Sequence, residues 1–192
     1  ETDVLVVGGG TAGFAAALAA ARAGLRVRLV EAGSKVGGVM ASCPGMPWGG
    51  GYPLGQSIGG IFAELTDRLS AMVPPAAEVR PCTLENFGPE VQYDLEAATL
   101  LMFEMLDEAG ATLHLNTIAG EPEMDGNRIS AVSAHDRLGP LRFQPRMVID
   151  CSGDGDLSAR AGVAHTLGDG KGNMMAVSLT FHMVGADTDA VF

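Results

Sequence analysis

Residues 3–33 read DVLVVGGGTAGFAAALAAARAGLRVRLVEAG, and no other stretch constrains the fold of this chain as tightly. Val4 to Val7 is a continuous apolar run, as expected of a strand buried on both faces. Gly8, Gly10 and Gly13 then stand in a G-x-G-x-x-G arrangement. Gly8 permits a tight turn, Gly10 leaves the backbone open to close approach, and Gly13 lets the following segment pack near the strand. That segment, Thr11 to Ala23, is rich in alanine and predicts a helix, which Gly24 ends. Leu25 to Val30 predicts a second strand, with Glu31 at its end. Strand, glycine turn, helix and strand together predict an α/β fold with a parallel sheet.

The same arrangement predicts a ligand. The free N–H groups and the dipole at the helix start favour a phosphate. A side chain missing at Gly10 lets a pyrophosphate come within contact of the main chain. An acidic residue at the end of the second strand accepts hydrogen bonds from the hydroxyls of an adenosine ribose and repels a 2′-phosphate. Glycine spacing alone is weak, but with both strands, the helix and Glu31 it points to a dinucleotide.

Composition narrows the remaining classes. The formal net charge of -11 argues against a nucleic-acid partner, which would require a basic patch. The chain has 3 Cys without a CxxC, and 4 scattered His without HExxH spacing. Neither a disulfide framework nor a metal site is therefore expected. No apolar run is long enough to span a membrane. The sequence opens on Glu1 and not Met, which leaves room for an N-terminal targeting segment; the expected location is cytoplasmic. Glycine is abundant, at 27 residues, and clusters at 8–13, 37–38, 49–60 and 153–172, where backbone turns sharply or approaches something closely.

Gly37-Gly38 follows Glu31 closely, and here the sequence resembles a family. VVGGGTAGFAAALAAARAG…VRLVEAGSKVGG is similar to the extended FAD fingerprint of the glutathione-reductase-like flavoproteins. RMVIDCSGDGDLSARAG, residues 146–162, resembles the strand and glycine turn by which those proteins re-enter their sheet. Cys151-Ser152-Gly153 stands where Ala-Thr-Gly is usual, and the D-C-S-G-D-G-D-L form is closer to the fumarate-reductase-related branch. SIGGIFAELTDRL and LGDGKGNMMAVSLTFHMVG fit that branch more loosely.

The resemblance implies a Rossmann-like FAD-binding domain with an inserted β-meander. It implies FAD as cofactor and an oxidoreductase passing hydride between a small organic substrate and the flavin. Gly8, Gly10, Thr11, Ala12 and Gly13 would surround the pyrophosphate. Glu31, with Ala32, would hold the ribose. Gly37, Gly38 and the backbone of Val39, Met40 and Ala41 would run along the ribityl chain. The backbone of Ile118 would clamp adenine, and Ser152, Gly153 and Asp154 would close the cleft. No catalytic acid or base is readable; His165 and His182 lie near the expected domain crossover, where core or surface roles serve equally well.

Further elements follow from periodicity. Residues 57–73 predict a helix with Ile58, Ile61, Phe62, Leu65 and Leu69 on one face, stopped by Pro74-Pro75. Residues 94–109 predict another, with Asp94 as N-cap and Gly110 as the stop. Residues 40–56 are a long loop holding Cys43, a packing residue or a flavin-side thiol, and Trp48, a loop anchor or a cofactor contact. Thr112 to Ala119 predicts a sheet strand, and residues 120–150 short antiparallel strands with turns at Asp125-Gly126 and Leu138-Gly139-Pro140. The expected division is a FAD-binding domain at 1–166, with 40–93 as a flavin-side insertion, and the start of a substrate domain at 167–192. Val177 to Val184 would be a strand of that second domain. Members of the resembled family are longer, so this chain is expected to be the N-terminal part of a cleaved or multi-chain enzyme, completed by a second polypeptide, with a truncated piece of a longer chain as the alternative. A protein binding FAD or NAD without redox chemistry stays open as an alternative. An NAD-dependent enzyme also does, although Gly37-Gly38 and the SGDGD turn argue against it.

Overall fold

The computed structural model describes residues 2–82, 87–179 and 184–185. Strands β1 (Thr2–Val7), β2 (Val27–Val30), β5 (Thr112–His114) and β9 (Pro145–Asp150) form a parallel sheet in the order β5-β2-β1-β9. Helix α1 (Thr11–Arg22) joins β1 to β2. Helices α3 (Gly60–Ser70) and α4 (Leu95–Glu108) pack with α1 on one face. Strands β6 (Ile118–Asp125), β7 (Arg128–Asp136) and β8 (Gly139–Phe143) form an antiparallel meander over the other.

Alternation along β1 divides the core between these layers. Val4 and Val6 face the helices with Phe14, Leu18, Met102 and Met105. Leu5 and Val7 face the meander with Val132, Phe143 and Leu157. Leu5 and Val6 are both fully buried, so the apolar run of β1 is the central strand it reads as. Met102 and Met105 are likewise core residues.

Helix α4 begins and ends where its caps dictate. Asp94 accepts the Ala97 N–H at 2.8 Å, and Gly110, with φ +76, follows the last turn. Helix α3 is shorter than its periodicity predicts. Gly59 has φ +75, outside helical space, so Ile58 is excluded from the helix and stands 61% exposed. The loop of 40–56 also holds structure: α2 spans Val39–Ser42 and a 3-10 turn spans Pro53–Gly55. Strands β3 (Ala77–Arg80) and β4 (Glu90–Tyr93) pair antiparallel, an element the sequence reading lacks.

The expected strand from Thr112 to Ala119 is two strands. Asn116 takes φ +50, which ends β5 and turns the chain into β6. Asparagine tolerates that conformation better than most residues. Ile118 therefore opens the meander, where it pairs with His135. The second meander turn falls at Arg137 and Leu138, with Gly139 already in β8. Residues 177–179 form no strand, and residues 180–183, His182 among them, lie outside the described residues. His165 is exposed, with Nδ1 3.0 Å from the Val163 carbonyl oxygen. No helix among the described residues is long and apolar enough to cross a membrane.

Candidate functional site: the glycine turn and its two cavities

The carboxyl ends of β1, β2 and β9 converge on one edge of the sheet, where open α/β sheets hold their ligands. Gly8 continues the ladder by donating to the Val30 carbonyl at 2.8 Å. Cys151 does the same toward Val7 at 2.7 Å.

The glycines of the turn have different causes. A Cβ at Gly13 would strike the carbonyl oxygen of Gly8, so α1 could not lie this close to β1 with any larger residue. A Cβ at Gly10 would meet no protein atom within 4 Å, and its φ of -65 is open to every residue. Nothing in the fold asks for glycine at position 10. The missing side chain leaves an open cradle at the start of α1, where unpaired N–H groups favour an anion.

The second glycine pair closes this cradle from the side. Gly37 donates to the Gly9 carbonyl at 2.7 Å and pairs in register with Gly10. Gly38 packs so near that a Cβ there would lie 2.9 Å from the Gly10 Cα. Thr11 Oγ1 reaches the Gly37 carbonyl at 3.4 Å.

Glu31 extends back under the turn. Its Oε2 accepts the Gly9 N–H at 2.6 Å and its Oε1 accepts the Gly33 N–H at 2.6 Å. A carboxylate offers about four acceptor positions, so about two stay free for ligand hydroxyls.

Two cavities flank the turn. One, of about 210 Å³, is lined by Gly8, Glu31, Ala32, Ile118 and Ser152 among others. Glu31, Ala32, Ile118 and Ser152, expected at the adenosine and cleft positions, are therefore brought together beside Gly8 of the expected pyrophosphate turn. Thr117, Asp156, Leu157 and Arg160 also line it and were not singled out from the sequence. Arg160 lies on α5 (Asp156–Arg160), and its guanidinium donates to the carbonyls of Ala119 and Gly120 at 3.3 Å. Asp150, at the end of β9, anchors α5 by accepting from the Ser158 N–H and hydroxyl, both at 2.7 Å. Burial opposes its ionisation, but hydrogen bonds from Ser158 and Ser152 outweigh this and hold the carboxyl below its ordinary range. Burial pushes the neighbouring Cys151 thiol up, with the Asp150 charge adding to it.

The other cavity, of about 390 Å³, is apolar. It is lined by Thr11, Val39 and Met40 of the expected residues and by Phe14, Trp48, Phe62 and Tyr93 beyond them. Trp48 is the loop anchor: its backbone exchanges hydrogen bonds with Val91 at 2.9 and 3.1 Å, and its side chain is 8% exposed. Burial also pushes the Tyr93 phenol up.

The other expected residues divide by exposure. Ala41 and Gly37 are buried, Ala12 is exposed at the helix start, and Gly153 and Asp154 are exposed outside both cavities. Cys43, Cys82 and Cys151 form no disulfide with one another. Among the described residues no cluster of His, Cys, Asp or Glu is placed to hold a metal ion.

An open cradle at a helix start, an acidic residue at the next strand end and a sheet covered by helices and a meander define a dinucleotide-binding α/β protein of the flavoprotein type. The chain belongs to the FAD dependent oxidoreductase family, whose profile matches residues 3–191. Its cofactor is accordingly FAD. Thiamine thiazole synthase of Aeropyrum pernix is 30% identical over 148 residues, 77% of this chain and 48% of that protein. Digeranylgeranylglycerophospholipid reductase 1 of Methanothermobacter thermautotrophicus is 29% identical over 194 residues, 98% of this chain and 48% of that relative. This chain therefore spans about half the length of either relative, 48% in both cases. The crystal structure of Thermovibrio ammonificans THI4 shares the fold at TM-score 0.60 and 21% identity, over 83% of this chain and 60% of that one.

Proposed function

We propose that this chain is the FAD-binding part of a flavin-dependent oxidoreductase of the fumarate-reductase-related branch, acting on a small organic substrate. The observation that carries the reading is Gly10, whose missing side chain no protein contact explains. A pyrophosphate is the group that uses such a space beside free N–H donors. Gly8, Gly10, Thr11, Ala12 and Gly13 would hold it there. Glu31 and Ala32 would take the ribose, and the Ile118 backbone the adenine. Gly37, Gly38, Val39, Met40 and Ala41 would follow the ribityl chain, and Ser152, Gly153 and Asp154 would close the cleft. When bound, FAD would supply the hydride-accepting or hydride-donating group that no side chain of this chain provides.

The division into a FAD-binding domain at 1–166, a flavin-side insertion at 40–93 and the beginning of a substrate domain at 167–192 belongs to the same proposal. It is supported by the exposure of Met175, Val177 and Leu179, at 91%, 97% and 91%, which the other described residues do not cover. Further polypeptide that completes the substrate domain would bury them. A cytoplasmic location belongs to the same proposal.

A native mass spectrum, repeated under denaturing conditions, tests the proposal. Release of FAD on denaturation is the expected result, together with an accompanying polypeptide in the native spectrum. Release of NAD, or no nucleotide uptake after incubation with FAD, would overturn the cofactor assignment. FAD uptake by a chain that reduces and reoxidises the flavin with substrate while alone would overturn the need for more polypeptide.

A further inference from the structure

We propose that the apolar cavity beside the glycine turn binds an uncharged, largely apolar organic molecule, and that this molecule is the substrate. This rests on the flavin reading only for the word substrate; the ligand class follows from the cavity itself. Its volume of about 390 Å³ lies within the range of small-molecule sites. No charged residue lines it, whereas Glu31, Asp156 and Arg160 line the cavity on the other side of the turn. A charged ligand entering it would lose hydration without gaining a partner.

The walls are built largely of aromatic rings. The Trp48 and Tyr93 rings lie 4.2 Å apart, centroid to centroid, and Phe62 meets Trp48 edge-on at 6.2 Å. Phe62 occupies the space over Gly51 that any side chain there would need. The Trp48 indole N–H is sealed from solvent. The Tyr93 hydroxyl beside it donates to the Met40 carbonyl at 2.9 Å.

Position ties this cavity to the cofactor cradle, with which it shares Thr11, Val39 and Met40. Thr11, Phe14 and Ala15 bring the first turn of α1 into its wall, directly after Gly10. A bound apolar molecule would therefore sit next to the dinucleotide. The flavin ring itself is a poor occupant, because its pyrimidine edge carries several donors and acceptors and this wall offers few partners.

Trp48 is the single tryptophan of the chain, so its fluorescence reads occupancy directly. The experiment titrates 1-adamantanemethanol and 1-adamantanecarboxylate, one non-fluorescent skeleton without and with charge, into the purified protein, read by Trp48 fluorescence without FAD and by calorimetry with saturating FAD. The alcohol is expected to bind at least about tenfold more tightly than the carboxylate. FAD should not displace it. Ala15→Phe fills the cavity, and Ile58→Glu sets a carboxylate at its rim on a side chain that is 61% exposed. Each should weaken the alcohol by about tenfold or more and leave FAD affinity, read by calorimetry, in place. Because Ile58 is on the surface, that variant serves even where Ala15→Phe does not fold. Equal binding of alcohol and carboxylate, undiminished binding in both variants, or displacement of the alcohol by FAD would each overturn the proposal. Binding of the alcohol by a protein that takes up no FAD would leave the apolar site standing and remove the flavin reading instead.

Discussion

The Glu31 carboxylate accepts the backbone N–H of Gly9 at 2.6 Å, across 22 residues of sequence. The acidic residue at the end of β2 thus reaches under the turn at the end of β1 and fixes its shape before any ligand arrives. The second oxygen holds Gly33 in the same way. Replacing Glu31 with Gln sets an amide N–H₂ against one of these donors and removes the charge. A hydrogen bond to a charged group is worth about 1.5–3 kcal/mol. FAD affinity is therefore expected to fall by about 10- to 100-fold, measured by calorimetric titration of the apoprotein. An unchanged dissociation constant would show that Glu31 serves only the turn.

Gly10 and Gly13 should separate ligand from fold when each receives the same methyl group. Gly13→Ala drives a Cβ into the Gly8 carbonyl and should cost about 1–3 kcal/mol of stability. Gly10→Ala meets no protein atom, and its cost should stay within about 1 kcal/mol, from the loss of a favourable N-cap. FAD retention should be lost in Gly10→Ala nonetheless. Urea denaturation and flavin absorbance on both variants check this. A Gly10→Ala protein with normal flavin content would place the pyrophosphate elsewhere.

What the sequence made legible was local. The Gly8 turn, the closeness imposed at Gly13 and the Asp94 cap each follow from sterics or hydrogen bonding within a few residues. The two-sided burial of Val4 to Val7 was readable for the same reason. What it hid was long-range. Arg160 lines a cavity with Glu31 only because β9 lies beside β1. Trp48, Phe62 and Tyr93 meet from three separate elements, and their spacing in sequence carries no sign of it. The run LHLNTIA looked like one strand because its apolar alternation continues through Asn116, while the backbone there turns to positive φ. The pair β3 and β4 is short and largely polar, so it lacked the apolar alternation that marks a strand.

The cap at Asp94 offers a stability test at a distance from the ligand. Helix α4 packs on α1 and α2, and its Met102 fills the space against Gly37. Asp94→Ala leaves the Ala97 N–H without its acceptor and should cost about 1 kcal/mol. For a chain of this size that corresponds to a loss of about 2–4 °C in Tm. Asp94→Asn, which also caps, should recover most of the loss. Equal melting of the Ala and Asn variants would mean that the cap contributes nothing.

Asp150 sets an acid limit on the part of the site that α5 builds. Its burial disfavours the charged form, yet the donors from Ser158 and Ser152 prevail and its folded pKa is lowered. The sign follows directly. A depressed folded pKa contributes stability that is fully present above the unfolded carboxyl range, near about 4, and is lost as pH falls through the folded value. Asp150→Asn cannot ionise and should be less stable than the unaltered protein at pH 7, by about 1–2 kcal/mol for the weakened hydrogen bonds. The gap should hold down to about pH 5 and then close as the medium grows more acidic, because the protonated Asp150 resembles the amide. Urea midpoints of both proteins between about pH 7 and pH 3 would trace it. A gap that stays constant across that range would mean that the Asp150 charge is immaterial and that only the shape of its side chain anchors α5.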